Sequence, residues 1–444
     1  MQQLPIYPTN KANFNNLLFF LLLFSLFFPI KHIFFTKIAF STGMYSDFTS
    51  FSLYLSFFVL ISMLIFNFKS YCAEFTTEQL GIKVLIAWVL LLLLFNLYHF
   101  NELTAIYLLK YLTWVVAYGT SVYFGSKFIK IHSFLIVFVA LSTAESLLAL
   151  FQFLYQHSLG LKYLGETILS SNLLGIAKII TNNVVYIRAY GTFPHPNPLA
   201  AFVVCGIFCS LALVFYSNTR KQRALYSILT FINLLGLTVT FSRAGFLAFG
   251  LGLIIYFVLL WRNNFPKMKI IFSLVLVAVS ILSSFLIYKP YLISRAVLLD
   301  QSSNERNFYN LAGLKMIRKH PLAGIGIGES LLKLQNYTNN KLLPWQIQPI
   351  HNYFLLVAAE TGLLSSILLL IFFLIHVKQL WLSIKIKTGE LSIFKITLFT
   401  ILCSFLILMV FDHYFYTLEQ TSVLFWVFLG LIKAEIQITP THNI

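Results

Sequence analysis

Charge is scarce in this chain, and acidic charge is scarcest. Of 444 residues only 10% are Asp, Glu, Lys or Arg, while 59% are hydrophobic and 17% aromatic. That is too little polar surface to cover a soluble globule of this size, so the chain reads as a polytopic membrane protein. Against 14 acidic residues stand 31 Lys and Arg, a formal net charge of +17. No basic run is interleaved with aromatics on a soluble module, which argues against a nucleic-acid partner. The cations fall mostly between apolar runs, where they suit anionic membrane lipid and carry a topology signal. Cysteine is equally sparse, and four are too few for a disulfide framework. Cys205 and Cys209 share a helix face at i, i+4 but have no His or carboxylate neighbours. Core packing is the reading there, and no metal is expected.

What the chain has instead is apolar runs of about 17 to 24 residues, the length of a membrane span. The first five run near Leu17 to Phe35, Phe48 to Phe66, Ile82 to Leu97, Leu103 to Phe124 and Ser133 to Tyr155. The next four are near Pro198 to Tyr216, Ala224 to Thr240, Ala244 to Leu260 and Ile270 to Tyr288. The last three are near Tyr353 to His376, Ile393 to Phe411 and a short one at Thr421 to Ile432. The first run lacks a small-residue cleavage signature and reads as a retained span. The expectation is an all-α protein of about twelve transmembrane helices, one integral membrane domain over 1–444.

Orientation follows from the connections. With the N-terminus cytoplasmic, the inner connections hold fourteen Lys and Arg, among them Lys69, Lys127, Arg220, Arg262, Lys378, Lys385 and Lys387, and the short outer ones only Lys31, Lys37 and Arg243. That bias puts both termini inside a bacterial cytoplasmic membrane. It puts outside the stretch His157 to Asn197, the long external loop 289–352, and the Asp412 to Gln420 turn. In the long loop, Ser302 and Glu305 have capping-box spacing, so a helix running to about Lys319 is expected, stopped by Pro321. Its apolar residues suit a helix lying on the membrane. The GIGIG at Gly324 to Gly328 follows no strand and lacks a Walker lysine, so a tight turn or close backbone approach is expected rather than a nucleotide site.

The polar residues gathered on this outer face are the candidate chemistry. Arg188 lies in a Pro-rich, non-helical entry to a span, which also holds Asn197; Arg243 follows Ser242 between two apolar helices; Arg306 starts the loop helix. Guanidinium forks suit a bound diphosphate. His351 stands where the loop becomes a helix, with Asn352 beside it, and its unperturbed pKa suits general-base work. Glu360 follows roughly 13 Å further along that helix, and Glu145 lies in another span, each expected to pair with a polar partner, Gln152 being one candidate. His195 and His320 read as structural. Asp412 and His413 form a weaker candidate pair.

Taken together, RAYGTFPHPNPLAAF, TFSRAGFLA, ERNFYNLAGLKMIRKHPLAGIGIG and HNYFLLVAAETGLL, in that order among these spans, resemble the O-antigen ligase superfamily. That superfamily includes O-antigen ligases, O-antigen polymerases and bacterial protein O-oligosaccharyltransferases. The resemblance is clearest over 188–364, where His351, Asn352, nine intervening residues and Gly362 match a ligase-type pattern; Ser365 stands where that pattern usually has Gly, Thr or Tyr. It implies transfer of a glycan from a polyprenyl diphosphate to an acceptor hydroxyl at the outer face of the membrane, with no cofactor, nucleotide or metal. By the same resemblance Arg188 and Arg243 would hold the diphosphate, Arg306 would assist, and His351 would activate or orient the hydroxyl. Asn352, Glu360, Asn197 and Ser242 would support them. The acceptor, whether lipid-linked sugar, growing glycan or protein, stays open. A polysaccharide or lipid exporter is the alternative of a different class. It should carry internal repeats or broken helices around a midplane site, whereas here the polar clusters gather at one face and no repeat is seen.

Overall fold

The computed structural model describes residues 9–75, 80–97, 100–297, 300–339, 341–384 and 391–438. Lys385 and Lys387, used in the orientation argument, lie outside the described residues, as do both chain ends. The elements in order begin with α1 (Thr9–Phe27), β1 (Lys31–Phe34), β2 (Phe51–Tyr54), α2 (Leu55–Phe75), α3 (Leu80–Asn96), α4 (Glu102–Lys127) and α5 (Ile131–Tyr155). The middle of the chain forms β3 (Lys178–Thr181), β4 (Val184–Ile187), α6 (Pro196–Tyr216), α7 (Arg220–Thr240), α8 (Arg243–Arg262) and α9 (Lys267–Val297). It ends with α10 (Asp300–Lys319), α11 (Ser330–Lys333), α12 (Tyr353–Ile384), α13 (Leu391–Phe411), α14 (Tyr414–Thr417) and α15 (Glu419–Ile438). Seven of the described helices are long and apolar enough to cross a membrane, and three further apolar ones are shorter. The protein is a helical, multi-pass membrane protein.

Helix α6 is the centre. Its sequence is apolar all round, which marks a helix with no lipid or water face, and nearly every residue from Pro196 to Phe215 is buried, Cys205 and Cys209 included. Helices α5, α7, α8 and α13 surround it. Small residues allow the close approach: a Cβ on Gly206 would fall 1.9 Å from Ser142 Oγ, and one on Gly236 would fall 2.4 Å from the Ser146 Cβ. Such contacts, with Asn233 hydrogen-bonded to Ser142, Thr143 and Ser146, bind α5 to α7 without a hydrophobic drive between helices in lipid.

Three expectations change. The first span ends at Phe27, not Phe35, because Pro29 interrupts it. The residues beyond it pair as β1 with β2 in an antiparallel ribbon, Lys31 opposite Tyr54. The second span therefore starts at Leu55. A second ribbon, β3–β4, turns through Asn182 and Asn183, both at positive φ, the backbone a two-residue type I′ hairpin needs. The short last apolar run, Thr421 to Ile432, lies within a 20-residue helix, α15, which is not among the seven long apolar ones. In the long loop, α10 ends at Lys319 as expected but starts at Asp300, so Ser302 lies inside the helix rather than at its cap.

The GIGIG stretch is a strap over a break in α12. Gly362 has φ 81° and ψ 165°, a conformation open essentially to glycine alone. The broken turn exchanges its hydrogen bonds with the strap: Ile325 N donates to Ala359 O (2.9 Å), Gly326 N to Glu360 O (3.2 Å), and Leu363 N to Pro321 O (2.8 Å). Backbone groups freed in the helix are thus satisfied by protein rather than exposed to lipid. Glu360 completes the seal, accepting from Gly328 N (2.7 Å), Ser330 N (3.3 Å) and the Tyr416 hydroxyl (2.5 Å).

Candidate active site

The site is built where the connections after α1, α5, α10 and α13 meet the end of α9 and the start of α10. A cavity of about 470 Å³ opens there, lined by residues from 42–48, 188–198, 344–351 and 412–418 together with Gly175, Arg295, Glu305 and Arg306.

Arg188 leaves β4 and is 4% exposed. Its Nε donates to Thr240 O (2.7 Å), and Nη2 to Asn197 Oδ1 (2.9 Å). Asn197 stands in the first turn of α6, whose N-cap is His195; the imidazole Nδ1 accepts from Asn197 N (3.2 Å). The amide of Asn197 passes the chain on, donating to Asp412 Oδ2 (2.8 Å). Asp412 in turn accepts from His413 N (2.9 Å), and His413 Nδ1 pairs with Thr417 Oγ1 (2.8 Å). A relay from Arg188 through Asn197 to Asp412 and His413 therefore spans the cavity floor.

His351 closes the relay's far side. Its ring stacks on Tyr309 (centroids 5.3 Å apart, planes 22°) and meets His413 edge to face at 5.1 Å. The Tyr309 hydroxyl is anchored on Gln346 O (2.6 Å). Nδ1 of His351 is buried and meets no hydrogen-bond partner of good geometry among the described residues. Burial lowers the proton affinity of this imidazole below the ordinary histidine value; Asp412 opposes that and Arg306 adds to it. His351 is therefore neutral at neutral pH. His413 and His195 are pushed down to about 3, chiefly by burial. Burial raises the cost of charge on Asp412, yet His413, His351 and Arg306 hold it at about 2, so it is ionised.

Positive charge dominates one wall. Arg188, Arg295 and Arg306 all line the cavity, and burial followed by Arg295 pulls Arg188 down to about 9, which leaves it charged. Nε of Arg295 is buried without a hydrogen-bond partner among the described residues. Arg243 does not line the cavity, but its charge is felt by both Arg188 and Arg295. Asp47, Glu305 and Asp412 line the same cavity, but the three guanidiniums among them still offer forks to an anion with several oxygens.

Of the residues singled out in the sequence, the cavity brings together His351, Arg188, Arg306 and Asn197, and also His195 and the Asp412–His413 pair. Ser242 instead caps α8, accepting from Gly245 N (3.2 Å). Asn352 caps α12 through Leu355 N (3.0 Å) and donates to Val410 O (2.9 Å), which fixes the direction of the chain beside His351. Glu360 lies outside the cavity, in α12, where it binds the strap. Glu145 does not pair with Gln152: it accepts from Thr192 N (2.9 Å) and Oγ1 (2.9 Å), while Gln152 holds Tyr190 N and Gly191 N. Both pin the turn that carries Arg188. No sequence signal marks Arg295 or Tyr309 as part of this site. Arg295 lies past the end of an apolar run, beyond Pro290, and no spacing marks it.

Compared with known families, residues 228–370 match the family model described as O-antigen ligase. The match runs from within α7 to within α12, and so takes in Arg243, Arg295, Arg306, His351 and the strap but not Arg188 or Asp412. No curated protein matches the chain.

Proposed function

We propose, from the match of residues 228–370 to the O-antigen ligase family model, that the protein is a glycosyltransferase of surface polysaccharide assembly. It moves a glycan from a polyprenyl diphosphate to an acceptor hydroxyl at the outer face of the bacterial cytoplasmic membrane. The observation that carries this reading is one cavity lined by three arginines with a neutral histidine in its wall.

In this reading Arg188, Arg295 and Arg306 bind the donor diphosphate, with Arg243 adding charge from behind. Their charge is fixed before reaction and stabilises the diphosphate as the anomeric C–O bond lengthens. The acceptor O–H approaches the opposite face of the anomeric carbon, and His351, held by Tyr309 and His413, takes its proton. The new C–O bond forms with inversion, and polyprenyl diphosphate leaves with the electron pair of the broken bond. Asp412 stabilises the imidazolium as it forms, and Arg188 and Asn197 hold Asp412 in place. Neither nucleotide nor metal takes part, since the guanidiniums supply the positive charge and the donor carries its own leaving group.

The test is reconstitution. Purified full-length protein is incubated with lipid-linked glycan and acceptor extracted from a deletion strain. Transfer with one polyprenyl diphosphate released per glycan joined supports the reading; no transfer in active-folded protein contradicts it.

A further inference from the structure

A second cavity, of about 510 Å³, lies beside the arginine cavity and shares Asp47, Pro194 and Leu418 with it. Its size is within the range of about 300–1,000 Å³ usual for small-molecule sites. Its polar groups differ in kind from those of the first. Glu419, at the start of α15, is 8% exposed and lines the cavity, and Lys110, from within α4, lines it too. The Lys110 ammonium rests over the Tyr107 ring at 4.4 Å. Among the described residues neither Glu419 nor Lys110 has a hydrogen-bond or salt-bridge partner for its charged end. The other carboxylates are already engaged: Asp47 with Lys31 (3.3 Å), and Glu166 with Leu159 N and Leu161 N (2.6 Å each).

An ammonium and a carboxylate that face one cavity without meeting leave a gap for groups that both donate and accept. Hydroxyls are such groups, whereas an ammonium offers only donors and a carboxylate only acceptors. With Lys31, Lys110 and Lys162 balanced by Asp47, Glu166 and Glu419, the lining offers neither a phosphate nor a cationic peptide a surplus of opposite charge. Tyr54 and Tyr163 in the wall add flat apolar surface of the kind a sugar ring's C–H face covers.

We infer that this second cavity is the acceptor subsite of the proposed transferase, that it takes a neutral, hydroxyl-rich saccharide, and that Lys110 and Glu419 determine its specificity. The inference rests on the transferase reading. The acceptor hydroxyl reaches the donor across the shared wall, on the side where Thr417 holds His413 and His413 meets His351. There it gives its proton to His351 and its oxygen to the anomeric carbon, as polyprenyl diphosphate departs.

The experiment uses full-length protein in nanodiscs with donor and acceptor fractions from the deletion strain, varying acceptor at saturating donor and the reverse. Lys110→Met and the near-isosteric Glu419→Gln should each raise the acceptor KM tenfold or more and leave the donor KM within twofold. The joined product should carry its new glycosidic bond on a sugar hydroxyl. Unchanged acceptor KM in both variants, with unfolding temperatures like the parent's, overturns the assignment. So does a rise in donor KM alone, or a product joined to a peptide side chain or a phosphate. If Lys110→Met does not fold, Glu419→Gln alone decides. No transfer by the unsubstituted protein would remove the transferase reading itself, whereas normal transfer with insensitive variants removes only the subsite.

Discussion

Replacing Arg188 by lysine keeps the charge and removes the fork, and the geometry sets the size of the effect. The guanidinium spends two nitrogens inside the protein, on Thr240 O and Asn197 Oδ1, and has a third for a diphosphate oxygen. A lysine nitrogen cannot bridge Thr240 and Asn197 while also reaching the cavity. Hydrogen bonds to charged groups contribute about 1.5–3 kcal/mol each, and at 4% exposure solvent screening takes little away. One bond lost within the protein should lower stability by about 1.5–3 kcal/mol, read as a lower unfolding temperature. One lost to the donor should lower kcat/KM by roughly 10- to 100-fold, since each 1.36 kcal/mol is tenfold. The assay is glycan transfer with purified lipid-linked donor, normalised to folded protein, beside thermal unfolding. Parental kcat/KM and unfolding temperature in Arg188→Lys would refute the reasoning, because the fork would then hold neither the relay nor the donor.

The other predictions follow the same physics. A Cβ on Gly362 would fall 1.9 Å from Leu322 O at a φ of +81°, so Gly362→Ala should cost at least about 3 kcal/mol. Gly250→Ala, in a helix with open space around it, should be neutral or slightly stabilising by thermal unfolding. Removing the Asp412 charge removes what raises the proton affinity of His351; a base works in its unprotonated form. In Asp412→Asn the acid limb of the kcat/KM profile should therefore move to lower pH, from a parental limb already below the ordinary value of about 6.5, and a limb that stays put would contradict the contact. A cysteine at Asn339 should react with a membrane-impermeant thiol reagent in intact spheroplasts, and labelling only after lysis would reverse the proposed orientation.

Much of the helical plan was legible because lipid demands long apolar runs, and α5 to α8 lie within a few residues of the runs that announce them. The β1–β2 ribbon was hidden by the same signal. Ile33, Phe34, Phe51 and Leu53 are as apolar as a span, and only Pro29 hints that the helix has stopped. In the site, Arg188 and His351 stand out because charge beside a span is costly. Their partners do not. Asp412 meets Asn197 across 215 residues, and no local pattern encodes a contact between two loops so far apart. Glu360 is expected to pair with a polar partner and does so, but which partner was not legible: it takes the Tyr416 hydroxyl and the backbone of a strap that only the folded chain brings to it.

The central claim is that His351 takes the acceptor proton, and His351→Ala tests it most directly. Donor binding to the purified variant, followed separately by equilibrium titration, should stay within a few-fold of the parent, since the arginines are untouched. Transfer should fall by roughly the 100- to 10,000-fold typical of a lost general base. His195→Ala removes the N-cap of α6 and should lower protein level or stability more than turnover per folded molecule. Near-normal transfer by folded, donor-binding His351→Ala would contradict the account, leaving the arginine cavity as an anion site without the base assigned to it.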